Sequence, residues 1–418
     1  MSAKHNLKRY NTLLIISQVF IPDPASVGQH MADVAREMAT RGWRVVVLTS
    51  ARGYDDPSVH YPSRELWNGV EIVRFPLSSF GKANLASRLF GQVLFLAQCI
   101  LRGVMTRGLD AMLVSTIPPM ASAVALAIRI VHRKPVTFWV MDINPDEAVL
   151  LGKVRALSWV VRCLDALNRR ILRASHHVVV LDRYMETRIV AKVDVSKKIS
   201  ILPPWPHEDY IEPVDHKVNP FRAKHGLQNK FVFMYSGNMS IASPLTTVLQ
   251  AALRFCDDPR LVFVFIGGGL GKQEVEEVVR KYQPVNMLCL PYQPLDEIKY
   301  SLSAADVHFV TLGDKMAGVI HPCKAYGIMA AARPFIYVGP KPSHITNILE
   351  REHVGWFVDG GDVEGLVSLI RKLSMSDVAT LQQLGLNGRH LLEREYGKSK
   401  LCGEFCDKLV NTVSSDRS

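Results

Sequence analysis

Two doubly wound parallel-sheet α/β domains facing each other across a cleft are the architecture this sequence predicts, and three observations predict it. A strand–turn–helix alternation opens near residue 12 and restarts at Phe231. A proline-rich exit between Pro203 and Pro213 separates the two runs. The clearest single unit, residues 306–338, reads as strand, polar turn, small-residue helix and strand, which is one parallel-sheet unit. The domains so bounded are 1–205 and 206–395, with a terminal helix over 396–418 that crosses back to the first.

The 418 residues can bury two ordinary cores, and 48% apolar with 21% charged residues is a soluble globular composition. The seven cysteines are scattered without CxxC spacing, mostly in apolar surroundings. Buried thiols in a reducing, cytoplasmic compartment are therefore expected, and neither a disulfide nor a metal site. The apolar run 13–20 is short and leads into a proline-bearing turn, so no signal peptide is expected. Charge is uneven: residues 1–205 hold 27 lysines and arginines against 15 acids, and residues 206–418 hold 23 against 24. A basic half fits nucleic acid, an anionic membrane or an acidic substrate. With no zinc-finger spacing, RNP-type aromatic motif or basic tail, nucleic acid is not expected.

Taken in order, residues 11–20 (NTLLIISQVF) form an apolar strand, followed by a proline-bearing turn and Gly28. A helix over 29–41 buries Met31, Val34, Ala35 and Met38 at helical spacing, and 44–49 is the next strand. The loop ending at Gly28 either lets backbone amides approach a phosphate or sugar, or is a plain strand-to-helix turn. Residues 51–80 read as polar and irregular, with a strand at 71–75. The apolar stripe over 85–105 is flanked by Lys82, Arg88, Arg102 and Arg107 with no acid between, and it is too short to span a bilayer. It reads equally as a helix lying on anionic lipid, through residues 82–107, or as a core helix under the sheet.

Residues 111–128 carry no charge, but Pro118-Pro119 divide them into strand, loop and buried helix. A strand over 136–140 runs straight into Asp142, at the carboxyl end where open α/β sheets place catalytic groups. Asp142 reads either as that group or as a helix cap; Asp146 and Glu147 read as first-turn helix charges. A basic helix over 155–173, a strand over 176–182 and residues 199–206, a short strand ending in a proline-rich exit, complete the half.

The second half repeats the pattern with strands at 231–235, 261–266, 287–290, 306–312 and 334–338, and its first two loops are Ser236-Gly237-Asn238 and Gly267-Gly268-Gly269. Neither GxGxxG nor GxxxxGK[ST] occurs in either half, which argues against hydride transfer and P-loop hydrolysis. The turn holding His321, Pro322 and Lys324, with a helix starting beside it, is a candidate diphosphate site.

The ordered set FIPDPASVGQHMADVAREMATRGWRVVVLT, STIPP, MDINPDEAVLLG, ILRASHHVVVLDRYM, ISILPPW, YSGNMS, FIGGG and HPCKAYGIMAAARPFIYVG resembles glycosyltransferase family 4, and most of all its bacterial capsule, O-antigen and exopolysaccharide branch. The resemblance covers residues 12–400. It implies a GT-B fold with two Rossmann-like domains and retaining transfer from a nucleotide-sugar donor, often UDP-linked, as co-substrate with no other cofactor and no obligatory metal. It also implies a glycan or lipid-diphosphate acceptor, so a cytoplasmic protein with peripheral attachment to the inner membrane face as an open option.

Carried over position by position, the resemblance places Gly28 near donor phosphates and acceptor, and Asp142 before the reacting sugar. Gly237 and Asn238 match the donor loop, Tyr292 sits in the loop that holds the base, and Lys324 opens the helix aimed at the diphosphate; His321, read from its place on the turn, either touches the donor sugar or diphosphate or is only hydrogen-bonded. The departures are equally specific. Val319 and Gly327 stand where many members carry an E-x7-E pair, and Asn238 and Ser243 stand where many carry Arg and Lys. Three readings stay open on the sequence: a transferase that holds its donor by amides and Lys324, an inactive homologue serving as a partner subunit, and a GT-B-fold nucleotide-sugar epimerase.

Overall fold

The computed structural model describes residues 11–23, 25–53, 58–78, 85–118, 121–156, 158–206 and 211–417, without side chains for 85–89 and 415–417. Lys82, the Arg88 side chain and Pro119 lie outside the described residues.

The first sheet is built from β1 (Thr12–Ile16), β2 (Arg44–Ser50), β3 (Arg64–Trp67), β4 (Val70–Phe75), β5 (Leu109–Ser115), β6 (Val136–Trp139), β7 (His177–Val180) and β8 (Ile199–Ile201). Its order is β3-β4-β2-β1-β5-β6-β7-β8, and every pairing is parallel except β3 with β4. The second sheet contains β9 (Phe231–Ser236), β10 (Leu261–Ile266), β11 (Met287–Leu290), β12 (Val307–Thr311), β13 (Phe335–Gly339) and β14 (Gly355–Asp359). Its order, β11-β10-β9-β12-β13-β14, is all parallel and reverses direction between β9 and β12. The first sheet reverses between β1 and β5. In doubly wound sheets the crevice beyond the carboxyl ends of the strands at such a reversal is where ligands bind.

The residues account for this arrangement. β1, β5, β10, β12 and β13 are buried along their whole length, as parallel strands covered on both faces must be. In β9, alternate side chains enter different cores. Phe233 and Tyr235 face one, where Phe233 stacks on Phe263 at 5.5 Å and on Phe309 at 5.8 Å; Val232 and Met234 face the other. β3 is the strand the sequence concealed inside an irregular stretch. It is a mostly exposed antiparallel edge with Leu66 73% exposed, so it lacks the apolar run that marks its neighbours.

A third core joins the domains: Val310, Leu312, Met316, Val319 and Tyr326 of the second pack in one cluster with Leu13, Ile143 and Met185 of the first. The last helix, Lys398–Arg417, lies against helix Ser26–Thr40 of the first domain. Phe405 packs on Trp139 at 4.2 Å between ring centres, Arg41 donates to Asp407 at 2.6 Å, and Lys398 pairs with Asp33 at 3.0 Å. A π-helical turn, Leu392–Tyr396, carries the chain back across. The helix Leu85–Val104 has one face in the core and one outside it. Phe95 and Cys99 are buried against the core, whereas Phe90, Val93 and Leu101 are more than 60% exposed. No helix among the described residues is long and apolar enough to cross a membrane.

Candidate active site

Four loops meet beyond the carboxyl ends of the second sheet. Gly237 N–H donates to the Ile266 carbonyl at 2.9 Å, Met239 N–H to the Gly268 carbonyl at 2.7 Å, and Gly267 N–H to the Leu290 carbonyl at 3.0 Å. The Tyr235 hydroxyl donates to the Asn238 carbonyl at 2.9 Å. Two glycines are required by close approach. Gly267 has φ +139° and leaves no room for a Cβ against the Gly237 carbonyl, and a Cβ on Gly268 would meet the Tyr292 ring at 2.9 Å. Tyr292 itself is 55% exposed at the rim, and Asn238 is exposed beside it.

Lys324 enters this crevice from the loop after β12. Gly237, with φ +123°, leaves space that the lysine stem fills: a Cβ there would lie 2.9 Å from Lys324 Cε. The ammonium lies 5.2 Å from the centre of the Tyr235 ring, within cation–π range. Among the described residues no carboxylate pairs with it. The helix it opens, Lys324–Ala330, is only two turns long, so positive charge at this point comes from the side chain more than from a helix dipole. The positions of the missing carboxylates are occupied otherwise. Val319 is wholly buried and its carbonyl accepts from Ile143 N–H of the first domain at 3.1 Å; Gly327 is buried in the helix. Ser243 is buried behind the β9 loop.

On the opposite domain, Gly28 lies in the first turn of helix Ser26–Thr40. A Cβ there would sit 3.0 Å from Phe20 N, so its lack of a side chain serves close packing of the helix on the β1 loop. Asp142 follows β6 and lines a cavity of about 20 Å³ with Thr116, Asn144, Asn168 and Lys192, room for one water and far too small for a sugar. Burial, and secondarily the charge of Glu147, raise the Asp142 carboxyl to about 7. It is thus poised to hold or release a proton near neutrality. Asp146 is a first-turn charge, as expected, but its carboxylate is paired with Lys192, which also holds Asp165 at 2.9 Å.

His321 is the residue whose surroundings the sequence did not foretell. Its Nδ1 lies 2.8 Å from Asp182 Oδ2 of the first domain and its Nε2 2.8 Å from the Tyr326 hydroxyl, which is 3.0 Å from His344 Nε2. Burial would push the Asp182 carboxyl up, but the hydrogen bond and charge of His321 prevail and hold it at about 2. Burial, reinforced by His321, lowers the His344 imidazole to about 3. With both ring nitrogens engaged, His321 has no free nitrogen for a donor. Sequence reasoning singled out neither Asp182, Tyr326 nor His344. The one local signal was an aspartate ending a strand just before a helix, which marks a cap and says nothing of a partner 139 residues away.

The structure therefore gathers Gly237, Asn238, Tyr292 and Lys324 in one crevice, and sets Gly28 and Asp142 at the carboxyl edge of the facing sheet. Residues 26–205 match the glycosyl transferase 4-like domain. The chain is 26% identical over 388 residues to the probable glycosyltransferase WbjE of Pseudomonas aeruginosa, covering 92% of this chain and 94% of that protein. It is 25% identical over 253 residues to the putative colanic acid biosynthesis glycosyl transferase WcaI of Escherichia coli K12, covering 60% and 61%. Among solved structures it superposes on a sucrose-phosphate synthase from Thermosynechococcus elongatus with a TM-score of 0.76 at 15% identity, covering 97% of this chain and 100% of that one. It superposes on HepE of Anabaena, solved in complex with UDP and glucose, with a TM-score of 0.71 at 14% identity, covering 96% and 100%. The fold is accordingly GT-B, with a glycosyl transferase 4-like domain over residues 26–205, and the chain is similar along most of its length to a probable bacterial glycosyltransferase.

Proposed function

We propose that the protein is a retaining, metal-independent hexosyl- or N-acetylhexosaminyltransferase that takes its sugar from a UDP-linked donor and passes it to a glycan or lipid-diphosphate acceptor. The observation that carries the reading is Lys324, a cation without a carboxylate partner among the described residues, held over Gly237 at the point where the second sheet reverses. Such a group calls for an anion, and the diphosphate of a nucleotide sugar supplies one. That HepE was solved with UDP and glucose makes UDP the first nucleotide to try.

In this reading the Asn238 loop and Tyr292 border the nucleotide, and Lys324 faces the β-phosphate. The bond from the anomeric carbon to the β-phosphate oxygen breaks while the acceptor oxygen bonds that carbon on the same face. The acceptor proton passes to the departing phosphate or to Asp142. Lys324 stabilises the charge that grows on the leaving group, usually the largest catalytic contribution. Gly28 keeps the first domain's loop close to the acceptor side, and His321 acts through the loop it anchors.

A thermal-shift comparison of UDP, GDP, dTDP and ADP tests the donor site directly. UDP at about 100 times its Kd is expected to stabilise the protein by about 2.7 kcal/mol, visible as a rise in Tm. No shift with any nucleotide would favour an inactive homologue instead.

A lipid-held acceptor also requires the protein to meet a membrane. The exposed face of helix Leu85–Val104, with Arg102 and Arg107 at its end, offers an apolar surface edged by cations. Flotation with anionic liposomes should show binding that weakens as salt is raised, and replacing both arginines by alanine should weaken it further. Indifference to those replacements would assign the basic excess of the first half to another purpose.

A further inference from the structure

We propose that Asp182 and His321 are positioning residues, a clasp that bolts the loop of residues 312–323 to the first domain and thereby sets Asp142 and Lys324 at their working separation. The inference rests on the transfer reaction proposed above and adds to it two residues that touch neither substrate.

The clasp is built at a point where the loop has little choice of path. Asp182 stands two residues after β7 and uses Oδ1 to cap helix Arg183–Lys192, accepting from Tyr184 and Met185 N–H at 2.9 Å each. Its other oxygen, Oδ2, is left pointing across the domain boundary to His321. The side chains of both residues are at most 2% exposed. Behind His321, Tyr326 packs on Tyr396 of the π-helical turn at 5.1 Å, so the array reaches from the first domain to the crossing of the chain.

Other contacts hold the loop's backbone. Arg188 Nε donates to the Ala317 carbonyl at 2.8 Å and its terminal nitrogen to the Lys315 carbonyl at 2.9 Å, and Gly318, at φ +71°, presses on the Tyr184 backbone. Apolar packing between domains is non-directional and permits sliding, whereas a buried hydrogen bond to a charged group has one geometry and is costly to leave half-made. His321 stands three residues before Lys324 and two after Val319, whose carbonyl meets Ile143 next to Asp142. Fixing His321 therefore fixes the register of both catalytic candidates. Lys324 itself is seated by Gly237 and Tyr235 of its own domain, so loss of the clasp should spare nucleotide binding and impair transfer.

Two amides separate the two nitrogens of His321. Asparagine puts a side-chain amide near the place of Nδ1 and keeps the link to Asp182; glutamine puts one near Nε2 and keeps only the link to Tyr326. Asp182→Asn removes the charge but preserves the helix cap, since asparagine caps as well as aspartate. His321→Gln and Asp182→Asn are expected to lower kcat about 10- to 100-fold, with UDP affinity within about threefold of wild type, and His321→Asn to keep kcat within about fivefold.

Hydrogen exchange gives a readout that needs no acceptor. Exchange at the Ile143 amide, which bonds Val319 across the boundary, should accelerate in His321→Gln and Asp182→Asn and stay slow in His321→Asn. Equal losses in the asparagine and glutamine variants, or weakened UDP binding with kcat kept, would overturn the clasp. So would unchanged Ile143 protection in all three. Failure of the wild type to bind UDP would refute the UDP-donor reading instead, leaving the exchange measurement to decide the clasp alone.

Discussion

Lys324→Ala is expected to lower kcat/KM for the nucleotide sugar by about 10²- to 10³-fold, the range seen when one preorganised donor is removed from a developing oxyanion. It should also remove most of the UDP-induced rise in Tm. The size of the effect follows from what is missing around it. Val319 and Gly327 supply no carboxylate, and Asn238 and Ser243 supply no cation, so under the proposed reading little besides the lysine is left to meet the donor's charge. Lys324→Met keeps the stem that fills the space above Gly237 and discards only the charge, and it should fall as far as the alanine variant. A methionine variant with normal kinetics would reduce Lys324 to packing. Gly237→Ala, which places a Cβ 2.9 Å from Cε, should push the ammonium aside and lose an intermediate amount.

Asp142→Asn is expected to lower kcat about 100-fold while leaving UDP binding unchanged. Wild-type kcat/KM should climb with pH along a limb centred near 7, the value to which burial and Glu147 raise this carboxyl, and the asparagine variant should lack that limb. Stability should move the other way. The carboxyl's native pKa lies above its ordinary 3.8, so between about pH 4 and pH 7 the folded protein keeps a proton that the unfolded chain releases. Stability contributed by this group is therefore lost as pH rises through that window. At neutral pH and above, Asp142→Asn should melt higher than wild type although it transfers less. A variant that is slower and also less stable there would show Asp142 to be a cap or packing residue.

What was legible in the sequence was whatever rests on short-range pattern. Fully buried parallel strands such as β5 and β10 announce themselves as unbroken apolar runs; Gly237 directly follows β9, and Lys324 opens the helix after the β12 loop. β3 escaped because an exposed antiparallel edge has no apolar signature to read. The clasp escaped for a different reason: Asp182 and His321 are ordinary residues in ordinary local settings, and only the approach of two domains makes them neighbours. The pairing of Lys192 with Asp146 escaped because it joins residues 46 apart within the first domain, and it gives a first-turn acid a second role.

The return of helix Lys398–Arg417 to the first domain bears on the order in which this chain can finish folding. Phe405 closes over Trp139, and Trp139 and Trp205 lie 5.6 Å apart beneath it. The ribosome delivers the second of those tryptophans, Trp205, about 200 residues before the phenylalanine, an interval of roughly 10–40 s at ordinary synthesis rates. Until Phe405 is made the indole pair of the first domain lacks its cover, whereas the second domain has all its strands once Asp359 is made. The half made first is the half completed last.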